Sequence, residues 1–299
     1  MDAVTVSLEK PKDLSISEKA SAFVELTKPR IAFMLVLTSA AGFYLGSPGP
    51  FEAVLFLNSM AAIAMLAFGV ATLNQYLERR TDILMERTAN RPLPTEKLSP
   101  TEAVVFGVSL CVGSEVYLLY AVNGLTAALG LVVIAGYVLL YTPLKTRTSA
   151  STAIGAIPGA LPPLMGWTAA ANDITLGAWA LFVTQFLWQF PHFLAIAWMY
   201  REQYAKAGIL MLPVVDPSGR LTARQIVLFT VMLVPVSLAP FFLHFAGVVY
   251  LIGASILGLG FLWMSISAAR AKTNEKARSL LLASVIYLPI LFLLLVLDH

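Results

Sequence analysis

The sequence predicts an all-α integral membrane protein: nine transmembrane helices around a polar cavity that opens to the cytoplasm, with the N-terminus inside and the C-terminus outside. Three observations predict it. Hydrophobic residues make up 58% of the 299 and charged residues only 12%, at a mean hydropathy of +0.79, whereas soluble domains are about one-quarter charged. Apolar windows of about 17–25 residues, the length that crosses a bilayer core, recur nine times. All 20 lysines and arginines fall in the N-terminal tail or in alternate connections between those windows, as the positive-inside rule requires.

The windows are 31–47, 53–75, 101–121, 124–142, 152–171, 176–199, 225–244, 246–267 and 279–297. Residues 1–30 read as a cytoplasmic tail that mixes acids with lysines and has no apolar stretch before Ile31, unlike a signal or transit peptide. Residues 31–299 read as a single transmembrane domain. The basic residues are Lys10, Lys12, Lys19, Lys28 and Arg30 in the tail, then Arg79 to Lys97, Lys145 with Arg147, Arg201 to Arg224, and Arg270 to Arg278. An eight-span reading breaks the alternation. Pro158, Pro162, Pro163, Pro235 and Pro240 fall inside windows, so kinked or broken helices are expected there, with protein partners for the freed backbone. The single cysteine, Cys111, lies in an apolar run and excludes both disulfide and cysteine–metal chemistry. A net charge of +3 gives no ground for a nucleic-acid partner.

Acids, amides and aromatics gather in the three inner connections that follow even-numbered windows. The first holds NQYLERRTDILMERTANRPLP, Asn74 to Pro94. Asn74, Glu78 and Asp82 stand at i, i+4 and i+8, so on a helix they form one polar stripe roughly 12 Å long. Such a stripe suits one or two hard cations that also hold phosphate. It equally describes a solvated helix end with local ion pairs. Arg87 and Arg91 follow, able to neutralise the same anion. The second connection begins LLYTPLKTRTS and offers Tyr141, Lys145 and Arg147, either anion ligands or a basic and aromatic membrane anchor. The third follows WQFPHF, where His192 is an ionisable residue inside a span. It could handle protons, ligate a haem iron or simply hydrogen-bond within the bundle. Glu202, Tyr204 and Asp216 come after it. Glu115, a lone acid inside the third window, and His244, near an outer end, are weaker candidates.

Together these stretches resemble the UbiA superfamily of intramembrane prenyltransferases, and within it the haem-directed branch. The superfamily's first acidic motif is matched by Asn74, Glu78 and Asp82, with Gln75 where quinone-directed members carry an acid. RTANRPLP (Arg87 to Pro94), YTPLKTRTSASTAIGAIPGALPPLMGW (Tyr141 to Trp167) and WQFPHF (Trp188 to Phe193) are similar to the haem branch, and Tyr141 with Lys145 matches the Tyr-x-x-x-Lys motif. The second acidic motif is not present as paired aspartates: His192 occupies its opening region and Glu202–Gln203 stands further on.

The resemblance implies farnesyl transfer from farnesyl diphosphate to a vinyl group of haem b, giving haem O for haem–copper oxidase assembly, in a bacterial cytoplasmic (inner) membrane. It implies Mg²⁺ on Asn74, Glu78 and Asp82. Catalytic roles fall to Asp82, Glu78, Lys145 and His192, and substrate binding to Asn74, Arg87, Arg91, Tyr141, Arg147, Glu202 and Tyr204. The lipid bilayer surrounds the protein, and a haem A synthase or oxidase-assembly protein would receive the product. Competing readings are the same fold acting on an aromatic acid or quinone precursor, and a secondary transporter. The transporter reading is weakened by the lack of an internal repeat and by acids that sit at one face and not at midplane. The Asp-Gly and Ala-Arg pairs of CDP-alcohol phosphotransferases are absent from the stripe.

Overall fold

The computed structural model describes residues 15–299, and Lys10 and Lys12 lie outside them. In chain order the helices are α1 (Ile16–Leu26), α2 (Pro29–Gly46), α3 (Ala53–Asp82), α4 (Pro100–Ala121) and α5 (Gly124–Ile134). A π-helical segment (Ala135–Tyr141) continues α5 into the single turn α6 (Thr142–Leu144). Then come α7 (Ser151–Ala171), α8 (Leu176–Met199), the short α9 (Arg201–Lys206) and α10 (Leu212–Val215), α11 (Arg220–Ser237), α12 (Ala239–Phe242), α13 (Val248–Ala271) and α14 (Asn274–Leu297). The described residues contain no strand.

Among the described residues, eight helical stretches are long and apolar enough to cross a membrane: α2, α3, α4, the Gly124–Leu144 stretch, α8, α11 with α12, α13 and α14. A helix also stands at the fifth expected window, but α7 falls short of the apolarity of the others. Its position explains why. Fifteen of its 21 residues are buried, and it packs against α2, α3, α5, the π segment and α8, so it has little lipid to face. A Cβ at Gly42 of α2 would run into the Pro163 carbonyl oxygen, and one at Gly166 of α7 into that of Ser39. Small residues let these two backbones touch, the means by which helices associate where lipid offers no hydrophobic drive. Pro163 lacks the N–H that would bond the Gly159 carbonyl. Gln185 of α8 donates to that oxygen at 2.9 Å, and Gln189 donates to the Ala156 carbonyl at 2.9 Å. At Pro163 the partner required by a proline inside a span is thus a side chain of the neighbouring helix.

Helix ends follow local chemistry. Ser15 with Glu18 and Ser99 with Glu102 build capping boxes on α1 and α4, Asn123 and Thr273 cap α5 and α14, and Pro100 occupies the first turn of α4. Pro240 starts α12, so the 225–244 window is two helices, not one. The Ser237 carbonyl at that break accepts from the Tyr250 hydroxyl. Around α7 the pairs α2–α3, α3–α4 and α4–α5 form one side, and α8, α11, α13 and α14 the other, with α14 returning to α2. Large apolar residues such as Leu131, Ile252, Ile256 and Leu293 are exposed along these helices, a surface suited to lipid and not to water.

Candidate active site

α3 does not end near residue 75 but runs 30 residues to Asp82. At 1.5 Å per residue that is roughly 45 Å, longer than a ~30 Å hydrocarbon core, and the extension carries Asn74, Glu78 and Asp82 on one face. It is no solvated helix end: Asn74 is 1% and Asp82 0% exposed, and the Glu78 side chain is 13% exposed. Buried acids are costly unless paired. Here every member of the stripe meets a cation. Lys28 Nζ donates to Asn74 Oδ1 at 2.9 Å, Lys145 Nζ to Glu78 Oε1 at 2.5 Å, and Arg91 Nη1 to Asp82 Oδ2 at 2.7 Å while standing 4.0 Å from Glu78 Oε2. Because an ammonium only donates, the Asn74 oxygen must face Lys28, and its Nδ2 then donates to Thr142 Oγ1 at 3.1 Å.

The three cations arrive by separate routes. The chain after α3 folds back through Thr88, whose hydroxyl donates to the Asp82 carbonyl at 2.9 Å, and the Arg91 N–H bonds the Thr88 carbonyl at 3.1 Å. Lys145 follows the π segment. There the Thr142 N–H and hydroxyl both turn to the Tyr137 carbonyl five residues back, the wide turn that replaces the regular helix Pro143 would spoil. Lys145 Nζ lies 4.3 Å from the centre of the Tyr141 ring, and its carbonyl accepts from the Leu210 N–H at 2.8 Å. Burial alone would lower the Lys145 pKa, but the Glu78 carboxylate beside it prevails and holds it well above the usual lysine range. Lys28, just ahead of α2, is pushed the other way: burial and then the nearby Arg91 charge bring it down to about 7, against the pull of Glu78.

These groups line a small recess of about 40 Å³, with Glu78, Asp82, Arg87, Arg91, Tyr141 and Lys145 as its polar part and Met85, Tyr204, Ile209 and Met211 as its wall. That volume is room for a few waters and far below the roughly 300–1,000 Å³ of small-molecule sites, so an anionic head group with divalent cations would enter only as the internal ion pairs give way. The donor set fits such a cation. Amide and carboxylate oxygens are hard ligands, and Asp82 Oδ1 is buried without a hydrogen-bond partner. Among the described residues no three His, Cys, Asp or Glu gather into a metal cage. A cation here would therefore complete its shell with oxygens from water and a bound anion, as Mg²⁺ characteristically does.

Of the other expected site residues, Arg87 and Tyr204 come together: Arg87 Nη2 lies 3.3 Å from the Tyr204 hydroxyl and its guanidinium 5.2 Å from the Tyr200 ring centre. Three do not join the recess. Glu202 points outward, 84% exposed, with Arg201 3.8 Å away; its neighbour Gln203 is the residue that accepts from the Arg87 N–H. Arg147 is exposed in the turn after α6. His192 sits on the α14 side of α8, its Nδ1 2.8 Å from Ser284 Oγ and its ring stacked on Trp188 at 4.6 Å. Asp216 caps the first turn of α11 through the Thr222 N–H at 2.8 Å. Glu115 lies against Gly130 of α5 with both carboxyl oxygens buried and unpartnered. Sequence reasoning treated Lys28 only as topology and Gln75 only as a missing acid. Gln75 Nε2 in fact donates to the Leu26 and Glu25 carbonyls at the end of α1, at 3.0 and 3.3 Å.

The model of the UbiA prenyltransferase family matches residues 35–295. A curated relative from Solibacter usitatus (strain Ellin6076), protoheme IX farnesyltransferase, is 47% identical over 286 residues, covering 93% of this chain and 98% of its own length. Among solved structures, digeranylgeranylglyceryl phosphate synthase shares the fold at TM-score 0.77 and 19% identity, covering 94% of this chain and 98% of that one. A UbiA homolog from Archaeoglobus fulgidus, solved with DMAPP and Mg²⁺, does so at TM-score 0.67 and 17% identity, covering 92% of this chain and 98% of that one. With the family model spanning nearly all the membrane helices and a relative this similar along its whole length, the chain belongs to the UbiA prenyltransferase family.

Proposed function

We propose that this protein transfers a farnesyl group from farnesyl diphosphate to a vinyl group of haem b, producing haem O. The observation that carries the donor half is the buried stripe in which Asn74, Glu78 and Asp82 each face a cation, a site built to exchange internal ion pairs for a diphosphate and its metal. The acceptor half rests on the full-length similarity to the Solibacter protoheme IX farnesyltransferase. Asn74, Glu78 and Asp82 would hold Mg²⁺, which would supply positive charge against the diphosphate oxygens.

Arg91, Lys145 and Arg87 stabilise the departing diphosphate as negative charge grows on the bridging oxygen. The C1–O bond breaks with its electron pair going to diphosphate. The apolar wall around Met85, Ile209 and Met211 keeps water from the allylic cation. The terminal vinyl carbon of haem b then bonds to C1, and water captures the cation left on the carbon next to the porphyrin. Loss of a proton completes the hydroxyethylfarnesyl group. His192, set apart from the recess beside Trp188 and Ser284, is assigned to the haem side.

Nine spans are proposed, α7 being the ninth: it is 21 residues long and its low apolarity follows from its central position. With the basic connections inside, the N-terminus and the recess face the cytoplasm of a bacterial inner membrane and His299 faces out. A haem A synthase or an oxidase-assembly protein is the natural recipient of the product.

The test is covalent. Purified protein in detergent, given farnesyl diphosphate, Mg²⁺ and haem b, should yield haem of the mass expected for a hydroxyethylfarnesyl substituent. A parallel reaction with 4-hydroxybenzoate should yield nothing. Prenylated 4-hydroxybenzoate with unaltered haem would overturn the acceptor, and no covalent product from either would overturn the transferase reading.

A further inference from the structure

Lys28 is an improbable residue for its place. It holds a left-handed backbone at φ 49° as the N-cap of α2, with no side-chain capping bond. A non-glycine residue in that conformation is strained, and such strain concentrates at functional sites. A cation at a helix N-terminus also opposes the helix dipole. Instead of turning away, the side chain reaches inward and places its ammonium on Asn74 of the stripe at 2.9 Å.

What holds it there is α1. That helix rests Ala22 and Leu26 on Leu93, Leu98 and Ala103, and its C-terminal carbonyls at Glu25 and Leu26 accept from Gln75 Nε2. The last carbonyls of a helix lack intrahelical donors; that of Glu25 also accepts from the Lys28 N–H at 3.2 Å. An amide supplies one, and a carboxylate at position 75 would repel them. Gln75 is thus turned away from the recess and clamps the segment that ends in Lys28.

We infer that Lys28 is a fourth cation of the donor head-group site, beside Arg87, Arg91 and Lys145, and that Gln75, by clamping α1, is its positioning residue. Lys28 donates to Asn74 and turns to the diphosphate when the donor enters, which frees the Asn74 oxygen. The inference deepens the donor reading above and rests on it.

The test is equilibrium binding of farnesyl thiodiphosphate, a donor analogue that does not react, to the full-length protein in detergent with Mg²⁺ and no acceptor. Lys28→Met should weaken binding tenfold or more, Lys28→Arg should restore it to within about threefold, and haem b affinity should stay as in wild type. If Lys28→Met fails to fold, Lys28→Gly keeps the left-handed turn and removes the amine. Gln75→Glu should weaken the analogue comparably with Lys28 intact, and adding Lys28→Met to it should cost little more, because both changes remove one interaction. Wild-type affinity in Lys28→Met would overturn the role of Lys28, and additive losses in the double variant would overturn the clamp. Wild type that ignores the analogue would overturn the donor reading itself, a separate failure.

Discussion

Two connections of the chain face the same recess and have opposite chemistry. The first, with the end of α3 that leads into it, presents buried acids matched by cations: Glu78 with Lys145, and Asp82 with Arg91. The one after α8 sends its acids elsewhere, Glu202 outward beside Arg201 and Asp216 to the first turn of α11. It contributes Tyr204, Ile209 and Met211 to the wall and offers Arg87 an amide and a phenol through Gln203 and Tyr204. The difference teaches that acids in corresponding inner loops are not equivalent. What counts is whether a carboxylate is buried with a cation poised to give way. On that criterion the proposed head group and metal would sit at the C-terminal end of α3, with the α8 connection supplying wall and orientation.

The comparison breaks first if the α3 side can be damaged without consequence. Asp82→Asn should lower kcat/KM with farnesyl diphosphate and haem b by about 10²–10³-fold, with the protein still inserted and monodisperse. Near-normal turnover would remove the metal role. A smaller and differently directed effect is expected from His192→Ala. Its separation from the recess predicts that haem b affinity falls about tenfold, the scale of one lost polar contact of roughly 1.4 kcal/mol, with farnesyl thiodiphosphate affinity unchanged. Equal haem affinity in variant and wild type would remove His192 from the acceptor side. Smallest of all is Glu202→Gln: an exposed carboxylate with only a 3.8 Å neighbour should alter kcat and KM by less than about twofold.

Much of this was legible in the chain. Long apolar windows and the placement of lysines and arginines located the helices closely, since bilayer thickness fixes span length and charge decides which ends stay wet. The i, i+4, i+8 spacing placed Asn74, Glu78 and Asp82 on one face because α3 is a regular helix through all three. The remainder depended on contacts between distant segments. Spacing alone does not tell that Lys28 reaches a residue 46 positions on, or that Gln75 faces the end of α1. The Ser15–Glu18 capping box is the local signal for α1, a helix that lies outside the long apolar windows. Nothing local foretells the π segment that aims Lys145, and the sequence displays the charge of Glu202 but not that Gln203 is the side chain turned to Arg87.

The most direct measurement of the asymmetry is the Mg²⁺ dependence of farnesyl thiodiphosphate binding in wild type, Asp82→Asn and Glu202→Gln. Wild type and Glu202→Gln should bind the analogue more tightly as Mg²⁺ is added, along the same curve, and Asp82→Asn should lose most of that enhancement. A preserved Mg²⁺ response in Asp82→Asn together with its loss in Glu202→Gln would place the metal on the α8 connection and contradict the account.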